Sequence, residues 1–402
     1  MSRSVVLVMY TNGLSTDVSP VSSNDEKEIS VQVEHADDIE TEIVDEDESK
    51  PAMGQRQSLE KYTSRDENDR IMYAASSMQG FCSYRVESRQ IFLDLDDISS
   101  TSFFGVYDGH GGARVANHCA SKFHTELQKD EDYRNNLDDA VGRVFFRMDA
   151  QLEETDQSRA LANPPRFSFF KLLRRVKTAA SAKRIGSTAC VAVIRGNRII
   201  VGNVGHSRCI LSRGRQAMDL SIDHKPNLPG ERQRIENAGG RVTEPFRFAG
   251  RIQFGSYRVN GILAMSRAIG YFHFKSNPEL DATEQIVTCN PDVRTEVITA
   301  DTEFLLIASD GIWKMLSSQR AVDFVHEKLD SIPTESIELS HLCDICEKLL
   351  NYCAKSKDNS TVILVQFKPA AMIAPPAPVV QVQAPMVQDQ ALVVQDQAMT
   401  FR

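Results

Sequence analysis

Asp108-Gly109-His110-Gly111-Gly112 follows directly on the apolar run Phe103-Phe104-Gly105-Val106-Tyr107. A strand that ends in a carboxylate, turn glycines and an imidazole places metal-competent groups on a rigid scaffold. Glycine after the acid lets the backbone turn sharply and leaves its carbonyl free to face a cation. The same device recurs at Phe304-Leu305-Leu306-Ile307-Ala308-Ser309-Asp310-Gly311, and Asp358-Asn359 stands just before the apolar run that begins at Ser360. Acids at three strand ends can converge on one edge of a sheet. Asp108, Asp310, Asp358 and the Gly109 carbonyl then form an oxygen donor set suited to Mg²⁺ or Mn²⁺.

The elements that must hold these acids are legible in the pattern. Thr188 to Arg195, Arg198 to Val204 and Arg208 to Ser212 are short β-rich runs, and Gly196-Asn197 joins the first two. A link that short makes antiparallel neighbours, because a parallel pair needs a long crossover. Helical periodicity predicts helices at Ala113 to Leu127, Leu137 to Glu153, Pro229 to Ala238, Ser318 to Leu329 and Leu339 to Tyr352. This order argues against a doubly wound nucleotide-binding fold.

Eight segments, taken in order, carry a resemblance. They are Ser76-Ser77-Met78-Gln79-Gly80, Phe104 to Gly112, Gly186-Ser187-Thr188-Ala189, Asp223-His224-Lys225-Pro226, Asn237-Ala238-Gly239-Gly240, Ser266-Arg267-Ala268-Ile269-Gly270, Ser309-Asp310-Gly311-Ile312-Trp313 and Asp358-Asn359. Together the chain resembles the protein phosphatase 2C family in its land-plant form, over residues 67 to 368. The resemblance implies an α+β fold, a central sandwich of two antiparallel sheets flanked by helices. It also implies metal-dependent hydrolysis of phosphoserine and phosphothreonine in proteins, two Mg²⁺ or Mn²⁺ ions activating a bridging water. Under that resemblance Asp108 is the bridging ligand, Asp310 and Asp358 complete one metal, and the Gly109 carbonyl serves the other. His110 is the implied general acid for the leaving oxygen, so His110 and Asp108 are the candidate catalytic residues.

The departures from the family pattern fall on charged positions. Cys82 stands where the family places a phosphate-gripping Arg, and Val86 where it places a metal-ligating Glu. A thiol cannot make the bidentate contact of a guanidinium, and an isopropyl group has no ligand atom. Glu87 matches the family's next acid, but strand alternation points it away from the side that Val86 faces, so only a β-bulge is expected to bring it into the vacant place. The family's Gly-Asp-Ser-Arg is Gly205-His206-Ser207-Arg208, its Trp-Asp is Trp313-Lys314, and the Asp expected after Gly270 is Tyr271. The Lys314 ammonium can either replace some of a missing cation's charge or repel metal from the site. Two functions follow: a phosphatase with weakened activity, or a catalytically silent relative that binds phosphoproteins.

Other chemistry is disfavoured. Cys209 and Arg215 match the Cys-x5-Arg spacing of cysteine-dependent phosphatases, yet this cysteine opens an apolar strand rather than a phosphate-cradling loop. Cys343, Cys346 and Cys353 recur with Leu342 and Leu350 at helical spacing, which reads as one buried face rather than a zinc site. Eight cysteines in 402 residues without a secretory leader predict reduced thiols. The net charge of −9 argues against nucleic-acid binding, and no apolar run is long enough to cross a membrane.

Three regions are expected: an acidic disordered segment over 1–66, the phosphatase-like domain over 67–369, and a low-complexity Val/Gln/Ala/Pro tail over 370–402. Residues 158–184 form a basic insertion with eight Lys or Arg and no acid. It is read as a solvated loop, or as a surface for acidic partners or an anionic membrane. Met53-Gly54-Gln55-Arg56-Gln57-Ser58 has the form of an acylation site, so Gly54 could carry a myristoyl chain only if translation began at Met53. The expectation is a cytoplasmic or nuclear monomer that acts on phosphoproteins.

Overall fold

The computed structural model describes residues 60–80, 86–96, 100–162, 185–248 and 252–368, without the side chains of 156–162, 247–248, 252–254 and 335. Two antiparallel sheets stack face to face. Their principal strands are β1 (Lys61–Glu67), β2 (Ile71–Met78), β3 (Glu87–Phe92), β4 (Ser102–His110), β5 (Ala189–Arg195) and β6 (Arg198–Val204), followed by β7 (Arg208–Arg213), β8 (Gln216–Asp219), β9 (Asp292–Val297), β10 (Thr302–Ala308) and β11 (Ser360–Phe367). The first sheet has six strands in the order β1-β2-β11-β10-β7-β8. The second has seven and runs β4-β5-β6-β9 with β3 beside β4, while the short strands Gly186–Ser187 and Ile269–Gly270 extend it from the end of β4.

Helices cover the outer faces. α1 (Arg114–Gln128) and α2 (Leu137–Ala162) lie against the second sheet, burying Phe123, Val141 and Phe145 on Phe103, Tyr107 and Val191. α4 (Ser318–Leu329) and α5 (Leu339–Cys353) cover the first, where Val325, Leu342 and Leu349 pack on Ala74, Leu306 and Leu364. α3 (Pro229–Asn237) belongs to a smaller unit whose core is Ile235, Val259, Leu263 and Met265. Among the described residues no helix is long and apolar enough to cross a membrane.

The observed helices match the sequence expectation within a residue or two, apart from α2, which continues to Ala162 and takes in the first residues of the basic insertion. The folded domain also begins earlier than expected. Lys61–Glu67, assigned on sequence mostly to the N-terminal segment, pairs with β2 along its whole length. Its residues are mostly exposed and polar, as suits an edge strand, so no apolar alternation announces it. The remaining acidic segment, Met53-Gly54, Cys82, residues 163–184 and the C-terminal tail lie outside the described residues.

The seven described cysteines are free. Cys209 is buried between the sheets beside Leu211, and Cys346 and Cys353 are buried under α5, so neither spacing forms a reactive loop or a zinc cluster.

Candidate active site

The site is the apolar interior carried past its end. Between the sheets, alternate residues of each strand form rows: Tyr73 and Ala75 on β2, Phe104 and Val106 on β4, Leu305 and Ile307 on β10, Ile363 and Val365 on β11. Side chains on a strand repeat every second residue, so the next member of each row points the same way. Those next members are Ser77, Asp108, Ser309 and Thr361. Hydroxyls and carboxylates therefore replace hydrocarbon where the interior opens toward solvent.

Cross-strand register adds Glu87. It pairs directly with Asp108, and the β3–β4 ladder runs from there to Phe92 and Phe103 without a bulge. Directly opposed residues share a face, so both carboxylates enter the same space. The sequence expectation that a bulge would be needed is thereby corrected. Glu87 is buried, accepts a hydrogen bond from Thr361 Oγ1, and leaves its Oε1 without a partner. Thr361 Oγ1 also bonds Ser77 Oγ at 3.0 Å, and Arg89 donates to the same Ser77 hydroxyl.

Asp108 ends β4 with its backbone well tied. Its N–H donates to Thr188 Oγ1 at 3.1 Å, and its carbonyl accepts from Thr188 N–H at 2.9 Å. Gly109 follows, donating its N–H to the Val86 carbonyl at 3.1 Å. Asp310 opens a single helical turn, Asp310–Trp313. Asp358 lies in the loop before β11, and close backbone packing brings that loop in. A β-carbon at Gly80 would lie 2.4 Å from the Asp358 carbonyl carbon, and one at Gly311 would lie 2.4 Å from the Asn359 oxygen. Glycine at these two positions is what allows the three segments to meet.

Lys314 joins two of the acids. Its ammonium is 2.7 Å from Asp310 and 2.6 Å from Asp358. The same Asp310 oxygen, Oδ2, lies 3.5 Å from His206 Nδ1. The rings of His206 and His110 meet edge-on with centroids 5.2 Å apart, and His110 Nδ1 lies 3.1 Å from the Asp108 carbonyl oxygen. One ligand atom each from Asp108, His110 and His206 falls within 4.8 Å of the others, a grouping able to hold a metal ion.

The electrostatics are unbalanced. Burial first, then the neighbouring Asp310 and Asp358, push the Asp108 carboxyl well above the usual carboxylate range. Burial and Asp108 do the same to Glu87, against the hydrogen bonds from Thr361 and Ser309. For Asp310 burial works in the same direction, but His206, Lys314 and His110 outweigh it and hold it low. Burial lowers both imidazoles, His206 to about 4. A buried set of acids facing one ammonium is the environment a divalent cation relieves.

A cleft of about 710 Å³ opens beside the acids, lined by His110, His206, Lys225, Tyr257, Arg258 and Lys314. Tyr271, in the place of a family acid, is buried on its wall with a left-handed backbone, φ 55°. All the predicted site residues, Asp108, Gly109, His110, Asp310 and Asp358, thus lie at one end of the sandwich. Sequence reasoning undervalued Glu87 and His206, although strand pairing opposite Asp108 was the signal available for the first.

A family model described as protein phosphatase 2C matches residues 69–362. Probable protein phosphatase 2C 21 of Oryza sativa subsp. japonica is 46% identical over 313 residues, covering 76% of this chain and 86% of that protein. Probable protein phosphatase 2C 16 of the same plant is 44% identical, with 77% of this chain matched to 62% of its length. The crystal structure of serine-threonine phosphatase 2C from Toxoplasma gondii superposes with a TM-score of 0.57 at 19% identity, over 77% of this chain and all of the other. The chain belongs to the protein phosphatase 2C family.

Proposed function

We propose that this protein removes phosphate from phosphoserine and phosphothreonine side chains of other proteins with the help of a divalent cation, Mg²⁺ or Mn²⁺. The observation that carries the reading is the convergence of four acids beside the cleft: Asp310 and Asp358 share the Lys314 ammonium, while Asp108 and Glu87 stand buried next to them. The donor set fits the cation by chemistry and by charge. Carboxylate oxygens suit a hard ion, and burial, with the neighbouring acids, holds the Asp108 and Glu87 carboxyls up, a cost that a bound cation offsets. When bound, such an ion supplies Lewis acidity and neutralises charge on a phosphoryl oxygen.

In this reading Asp108 is the central ligand, Asp310 and Asp358 flank it, and the Gly109 carbonyl adds a further oxygen. Lys225 and Arg258 line the cleft with positive charge for the phosphorylated segment. His110 delivers the proton to the leaving hydroxyl. Burial lowers its pKa, so it carries that proton only on the acid side of neutrality, and the rate falls as pH rises through the depressed value. Loss of the family's Arg and Glu, replaced by Cys82 and Val86, weakens phosphate and metal binding and makes the enzyme slow. The catalytic domain acts as a monomer in the cytoplasm or nucleus, with membrane attachment confined to a product that starts at Met53.

One observation favours a second reading, a silent phosphoprotein-binding relative: the Lys314 ammonium bridges Asp310 and Asp358, where a cation would otherwise bind. Turnover of a phosphothreonine peptide in millimolar Mn²⁺, compared with Asp108→Ala, separates the two. Turnover abolished by the substitution supports the enzyme. Peptide binding without turnover in the unmodified protein supports the silent relative.

A further inference from the structure

The second sheet ends in an open edge. β9 pairs with β6 along its whole length, and among the described residues no strand lies on its other side. The ladder continues past its end, where the Ile298 N–H donates to the Asn197 carbonyl at 2.7 Å. Backbone groups alternate in direction along a strand, so the even-numbered residues face β6, and Val293, Thr295 and Val297 turn their N–H and C=O groups outward. The Val297 N–H meets the Glu296 carboxylate at 3.4 Å. Edges are ordinarily blunted by lysine, proline, a bulge or a covering element. The first sheet does this on both sides: β1 is lined with charge, and on β8 the Ala217 N–H is taken by Gln319 of α4 at 2.9 Å. β9 carries no lysine and no proline, its register is unbroken, and Val293 and Val297 are 37% and 43% exposed.

Val293-Arg294-Thr295-Glu296-Val297 has the same character from either end, with charges of opposite sign flanking Thr295. We infer that this edge is the contact surface for a second copy of the chain, two β9 strands pairing antiparallel about a two-fold axis at Thr295. In that register Thr295 exchanges backbone hydrogen bonds with its counterpart, Val293 opposes Val297 of the second copy, and Arg294 opposes its Glu296. Directly opposed residues share a face, so the valines pack together and each guanidinium meets a carboxylate. Within one copy Arg294 reaches Glu296 only at 3.6 Å, through an oxygen other than the one that Arg213 holds at 3.2 Å. That oxygen is therefore available for exchange. Thr295 Oγ1 donates to Asp138 of α2, which fixes the middle of the strand. A groove of about 520 Å³ between α2 and β9, lined by Asp139, Gly142, Phe146 and Val293, leaves room for the second copy's valine. The surface contains none of the acids of the proposed active site. Each copy keeps a complete site, and the inference goes beyond the reading above.

The test is sedimentation velocity of the full chain, with amide hydrogen exchange beside it. A strand edge is a small interface, so a reversible monomer–dimer shift is expected between about 1 and 100 µM. Over the same range exchange at the Thr295 amide should slow, a readout that needs no variant. Arg294→Glu sets acid against acid in the cross-strand pairs, and Glu296→Arg sets base against base; each should weaken self-association about tenfold or more. Mixing the two variants one to one should restore the dimer, because every opposed pair is then acid with base. A misfolded variant cannot be rescued in this way. A chain that stays monomeric throughout, exchange at Thr295 that ignores concentration, a variant that dimerises as well as the unmodified chain, or a mixture that stays monomeric overturns the surface. Phosphopeptide turnover per chain is expected to be equal below and above the dimer midpoint, so failure of either reading leaves the other standing.

Discussion

Two clusters of carboxylates, each built around a buried acid, sit at opposite electrostatic extremes. Glu231 lies between Arg234 and Arg267, at 2.7 and 2.6 Å, and accepts a hydrogen bond from Ser266; Arg267 also reaches Asp292 at 2.9 Å, which His224 meets at 3.0 Å. Burial works to raise Glu231, but the two guanidinium groups hold it at about 2, and His224 with Arg267 hold Asp292 at about 2. Glu87 and Asp108 are as deeply buried, and their carboxyls are pushed up, first by that burial and then by the neighbouring acids, because no guanidinium pairs with them to offset it. The first cluster is complete without a ligand and reads as structural. The second is complete only with added positive charge, which is how a structure distinguishes a binding site from a staple.

Breaking the balanced cluster should give the largest change. Glu231→Gln leaves two guanidinium groups without their counter-charge, at a cost of about 3–5 kcal/mol in urea unfolding. A loss under about 1 kcal/mol would mean that solvent already screens the cluster.

The next effect is on rate. Cys82→Arg with Val86→Glu restores both charges that the family pattern carries, and should raise kcat/KM on a phosphothreonine peptide about a hundredfold, with tighter Mn²⁺ binding. A repaired protein that is no faster assigns the defect to His206, Tyr271 and Lys314.

In the unbalanced cluster the sign reverses. Asp108→Asn removes a buried charge that lacks compensation, so the metal-free protein should gain roughly 1–2 kcal/mol while the stabilisation by added Mn²⁺ disappears. Thermal melts with and without Mn²⁺ measure both halves. A destabilised metal-free variant would contradict the charge imbalance.

The smallest effect is in the pH dependence of stability. Glu231 and Asp292 are depressed, so their contribution is present above the unfolded carboxylate range and is lost as pH falls toward 2. Glu87 and Asp108 are raised, so theirs is present below that range and is lost as pH rises through their folded values. Metal-free protein should therefore lose stability from mildly acidic pH upward, and the Glu87→Gln, Asp108→Asn double variant should flatten that slope. An unchanged slope would place the titrating groups elsewhere.

Local pattern was enough to find Asp108, Asp310 and Asp358, because each abuts an apolar strand and is marked by a turn residue. It was enough for the helices too, whose periodic apolar faces announce them within a turn. Glu87 was misjudged because its direction depends on which residue of β4 it opposes, a matter of register between strands. The edge strand β1 was missed because it lies on the rim of its sheet with hardly any residue buried, and so carries no alternation.

The sequence by itself determined the helices, the antiparallel neighbours and the acids at strand ends, through short-range periodicity and residue types at fixed spacing, and it determined the family, with the two-sheet architecture that the resemblance implies, through eight motifs in order. Only the tertiary structure decided how charge is distributed among them. Lys314 bridges Asp310 and Asp358, His206 faces His110, and Glu87 joins Asp108 across a ladder. The physical reason is that Coulomb energy and desolvation depend on distance and burial in space, and the groups concerned are separated along the chain by anything from four residues to hundreds.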